Sequence, residues 1–142
     1  MASIIQGITN TFITQSLSGN MDFDTDTFKI ALYSNDATLD ETTSIYTTTN
    51  EVVGTGYVAG GNTLTGATVT QDDTADVVYI TFDSPTTWTG TFSARGALIY
   101  NSSSSNYSVC VLDFGSVKTI AAETLTVTLP SNTATTALIR FE

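Results

Sequence analysis

The chain has 142 residues, of which 41% are apolar and only 13% charged, and fourteen acidic side chains against four basic ones give a net charge of −10. That length holds one ordinary domain with a sizeable core. The four cations, Lys29, Arg95, Lys118 and Arg140, are scattered, which excludes the clustered basic surface that nucleic acid requires.

Residues 3–18 carry the one helical pattern, with Ile4, Ile5, Ile8 and Phe12 spaced as a single apolar stripe. Ser3 and Gln6 fit a capping box at its start, and Gly19 can close it in a left-handed conformation. Thr9, Thr11 and Thr14 weaken this helix, so it needs a surface to pack on. An acidic turn, Met21 to Asp26, leads into Thr27–Tyr33, where Phe28, Ile30 and Leu32 share one face of a strand. Residues 35–62 are irregular, and four glycines between Gly54 and Gly61 indicate turns, bulges or close backbone approach.

From residue 63 onward the pattern predicts short strands at 63–70, 76–83, 91–100, 106–114, 117–120, 124–129 and 135–141. Thr124 to Leu129 alternates without a fault, three threonines on one face and three aliphatics on the other, before Pro130 ends the pairing. Ser102 to Ser105 lies between two strand patterns and reads as a hairpin tip. Thr-rich polarity suits sheet faces, because Thr is β-branched and exposed helices rely on Glu, Lys and Arg. The expected fold is all-β: an antiparallel β-sandwich or jelly-roll-like arrangement of about eight strands over 27–142, with one N-terminal helix, in a single domain spanning 1–142.

The chain has no histidine, which removes the usual general base and the commonest transition-metal ligand. Its one cysteine, Cys110, sits in the apolar run Val109 to Leu112 and reads as a small core side chain; a Cys₄ zinc site is impossible. Asp22, Asp24 and Asp26 open like a calcium loop, yet Thr27 and Tyr33 occupy the positions where an EF-hand needs its glycine and its bidentate Glu. They read instead as turn residues, as do Asp72, Asp73 and Asp76. Gly54, Gly56, Gly60 and Gly61 match neither GxGxxG nor a P-loop. Trp88 reads as a lid on the core rather than a sugar platform, and Arg95, inside a strand pattern, needs a carboxylate partner. No catalytic residue, cofactor or metal is expected. Without an N-terminal leader pattern or a run of about 18 apolar residues, the expectation is folding in a cytoplasm with no membrane partner.

Thr27–Tyr33, Tyr46–Val52, Gly56–Gly61, Ala94–Asn101 and Leu112–Gly115 occur in an order that resembles small structural proteins encoded in tailed-phage genomes. These include capsid cement, or decoration, proteins with jelly-roll-like folds and small tail or neck components. The resemblance implies a non-enzymatic virion protein, made in the host cytoplasm and bound to the outer surface of the capsid. Its implied partners are the major capsid protein and further copies of itself, as a dimer or trimer. The alternatives are a tail, neck or fibre component acting as adaptor or host-glycan binder, and, from another class, a glycan hydrolase built on a carboxylate pair. The expected interface elements are the N-terminal helix, with Ile4, Ile5, Ile8 and Phe12, and the glycine-rich segment, with Gly56 and Tyr57. The helix could equally cap its own sheet.

Overall fold

The computed structural model describes residues 2–142. In chain order its elements are β1 (Gly7–Ile8), α1 (Asn10–Leu17), β2 (Phe28–Tyr33), β3 (Asn62–Thr63), β4 (Thr68–Asp72), β5 (Val77–Thr81), β6 (Thr86–Asn101), β7 (Tyr107–Val127) and β8 (Ile139–Phe141). They form a five-stranded sheet in the order β1-β7-β6-β2-β3 and a three-stranded sheet in the order β4-β5-β8. All strand pairs are antiparallel. The architecture is therefore all-β, two sheets with one short helix, as the Thr-rich alternation predicts.

The main core lies between the sheets. Phe28, Ile30 and Leu32 of β2 and Trp88, Phe92 and Ile99 of β6 meet Ile80 of β5 and Ile139 of β8. A second, smaller core covers the other face of the large sheet, where Ala31, Tyr33, Leu98, Tyr100 and Val111 pack on Ile4, Ala37 and Leu39. This explains why β2 is buried at five of its six positions, on both faces, and not only at the three aliphatic positions that alternate.

The N-terminal segment departs from the expected helix over 3–18. Only Asn10–Leu17 is helical. Residues before it are extended: the Leu39 N–H donates to the Ser3 carbonyl, Ile4 bridges Leu39, and Gly7 and Ile8 pair with Val111 and Cys110. These sheet partners satisfy the backbone groups that a helix would otherwise have to satisfy, and they outweigh the weak helical propensity of a segment holding Gly7 and three threonines. The capping box does not form. Thr9 caps the helix instead, its hydroxyl accepting from the Phe12 N–H at 3.2 Å, while Gln6 accepts from the Asp113 N–H. Gly19 does follow the helix at φ +81°.

Strands that look separate in sequence are continuous. The patterns at 106–114, 117–120 and 124–129 merge into β7, and its partner β6 begins at Thr86. The breaks in alternation are bulges. Residues 114–117 of β7 lie opposite Arg95 alone, because Asp113 pairs with Gly96 and Lys118 with Ala94. A second extra residue lies between Ile120 and Glu123, where Ala122 has φ +52°. Residues 102–106 form the tip of this hairpin, with the Asn101 side-chain carbonyl accepting from the Ser103 and Ser104 N–H groups.

Candidate functional site

The acidic turns are local structure. Asp22 Oδ1 accepts from the Asp24 N–H, and Asp26 accepts from the Asp22 N–H and from the Asn101 side chain. Hydrogen bonds from Thr25 and the turn backbone hold the Asp22 carboxyl below its usual range. Asp72 accepts from the N–H groups of Thr74 and Ala75. Among the described residues no three Asp, Glu or Cys side chains converge as a metal cluster. Arg95 finds its carboxylate in Asp113, across the hairpin. Cys110 is buried, and burial pushes its thiol up to about 12. Trp88 is a core residue, with its indole N–H unpartnered among the described residues.

The six expected interface residues do not form one surface. Ile4 belongs to the smaller core and Phe12 to the main core, where Phe12 is 1% exposed. Ile8 is half-buried in β1, and Ile5 alone of the four is largely exposed. Gly56 has φ +87° and packs so tightly on β6 that a Cβ there would lie 2.0 Å from the Thr89 carbonyl oxygen. Tyr57 is buried. The glycine-rich segment is thus folded against its own sheet, and glycine serves close backbone approach rather than display.

What organises that segment is a residue the sequence reading passed over. Glu51 is 5% exposed, and its carboxylate accepts from Tyr57 Oη at 2.6 Å, Tyr46 Oη at 2.7 Å and the Gly60 N–H at 2.7 Å. The Tyr57 hydroxyl in turn accepts from the Leu32 N–H, and Tyr100 Oη donates to the Gly60 carbonyl at 2.8 Å. Tyr46 stacks on Tyr100 with ring centroids 4.6 Å apart. Burial, and next the Glu51 carboxylate, push the Tyr46 and Tyr57 hydroxyls well above the usual 10, and the same two causes push Tyr100 up to about 12. A buried carboxylate is tolerated only with such donors. The one signal in the sequence was isolation: Glu51 is the single charged residue from position 42 to position 71.

The fold also leaves an open groove of about 620 Å³ beside β1, between the two halves of β7 and the segment that follows it. Its walls are mostly apolar, including Ile8, Leu112, Leu125 and Leu129, with Lys118 and Asp113 at polar positions. Comparisons with known protein families, with curated proteins and with solved structures find no match to this chain.

Proposed function

We propose that this chain is a structural protein of a tailed-phage-type virion, a capsid cement protein that binds major-capsid subunits on the outside of the shell. The observation that carries this reading is that the segments resembling phage structural proteins pack together as one unit. Thr27–Tyr33 and Ala94–Asn101 include neighbouring strands of the large sheet, and Tyr46–Val52 and Gly56–Gly61 are joined over that sheet by Glu51. Leu112–Gly115 lies on β7, across the hairpin from Arg95 and Gly96. What these residues build is a rigid scaffold: the enclosed carboxylate is committed to three donors that pin a loop, which suits a domain whose work is contact.

An acidic domain of this kind stabilises a shell by repeating a modest contact at every copy. Its net charge of −10 favours a protein surface over packaged nucleic acid. The test is location and copy number on purified particles, by reconstruction and quantitative mass spectrometry. Hundreds of copies on the outer shell are expected. A few copies at the tail or neck would replace the cement reading with the adaptor one, and absence from the particle would end both.

A further inference from the structure

The lower half of β7 is a sheet edge. Residues 118–127 pair with β6 on one side, and on the other side no described segment pairs with them, since β1 covers only Cys110 and Val111. A row of unpaired N–H and C=O groups of this length is recognised by another extended main chain. Two charges stand on it. Lys118 lies opposite Ala94 and Glu123 opposite Gly90, alternate positions on the β6 face that also carries Phe92 and Trp88, so both charges project from one face despite the bulge between them. Among the described residues neither has an ion-pair partner in its own chain; Lys118 bonds only the Ser116 hydroxyl.

We infer that this edge pairs with the same edge of a second copy, antiparallel about a two-fold axis at Ile120, because the bulged Ala121 and Ala122 together fill one ladder position between Ile120 and Glu123. That register sets Lys118 opposite Glu123 of the second copy, and Glu123 opposite Lys118 of the second copy, two ion pairs from one symmetry operation. The bulge between the two charges occurs identically in both copies, so their spacing matches itself. Inward charges on an edge normally reject a passing strand, and here they reject every register but the one that pairs them. The inference rests on the expected self-association as a dimer or trimer and on nothing in the proposed place on a virion.

Sedimentation velocity of the full chain from low micromolar to submillimolar concentration tests it, with far-UV circular dichroism confirming that each variant is folded. The parent should dimerise reversibly. K118E and E123K each place like charges opposite one another twice, and each should raise Kd roughly ten-fold or more, while the double variant K118E/E123K should return to within about three-fold of the parent. A parent that stays monomeric throughout, a double variant as weak as the singles, or a dimer indifferent to all three changes overturns the inference. Any of these leaves the copy number on a particle unaffected, so the two readings fail separately.

Discussion

The β6–β7 hairpin passes through two environments. In its upper half, Gly96–Asn101 against Tyr107–Asp113, it is flanked by β2 and β1 and covered on both faces, and every β6 residue there is buried. In its lower half, Thr86–Ala94 against Lys118–Val127, burial alternates, with Trp88, Phe92 and Ala94 inside and Thr87, Thr89, Thr91 and Ser93 in water. One pair of strands therefore supplies a two-sided core at one end and a one-sided ribbon with an open edge at the other. Stability belongs to the first and exposed backbone to the second. The Arg95–Asp113 pair and the bulge at 114–117 mark the change from one to the other.

If that division is real, truncation in the upper half should be the most damaging. Leu98 has no exposed surface and packs in the smaller core between Ile4, Leu39 and Val111. Leu98→Ala should cost about 3 kcal/mol in urea unfolding, from lost burial plus the cavity left behind. Glu51→Gln comes next, at about 2 kcal/mol, because the amide keeps one acceptor oxygen and turns two donor hydrogens toward Tyr46, Tyr57 and Gly60, which are themselves donors. Hydrogen exchange should then quicken across residues 52–61 while the lower arm of the hairpin keeps its protection. A uniform loss of protection would contradict the local role given to Glu51.

The alternation at 124–129 and the strand 27–33 were legible because each is decided by its own residues: a period of two, a turn before and a breaker after. The acidic turns were legible for the same reason, since Asp22, Asp26 and Asp72 satisfy backbone donors within a few residues. The N-terminus was misread because Ile4, Ile8 and Phe12 fit a helical stripe, and the competitors that win, Leu39 and Val111, lie far along the chain. Local spacing carries no record of such partners. The expected interface residues divide for a related reason. A large apolar side chain or a glycine looks the same in sequence whether it meets a partner or its own sheet: Phe12 and Tyr57 fill the protein's own core, and Leu17 and Val58 are left outside.

Alkaline pH should lower the stability of the fold through groups that the upper half buries. The Cys110 thiol and Tyr100 hydroxyl both have folded values raised to about 12, from 9.0 and 10.0. For an acid raised in this way the unfolded chain loses its proton first. The stabilisation is complete below the unfolded value and disappears as pH rises toward the folded one, here between about pH 9 and 12. Each group ionised only in the unfolded chain should lower stability by about 1.4 kcal/mol per pH unit. Denaturant titrations from pH 8 to about pH 11 should show stability flat at first and then falling, with tyrosinate absorbance lagging behind that of a model peptide. Ionisation of all six tyrosines at the peptide's pH would mean that the Glu51 network is open to water.

The smallest effect is expected on the outer face of the lower arm, and it is the sharpest test of the contrast. Thr89 and Thr124 stand opposite each other there with hydroxyl oxygens 2.8 Å apart, both exposed. Water can replace either partner, so Thr124→Ala should cost no more than about 0.5 kcal/mol, and a double-mutant cycle with Thr89→Ala should give a coupling of about 0.5 kcal/mol or less. A coupling several times larger would mean that this face is covered in solution, and that the ribbon is not the one-sided element its burial pattern describes.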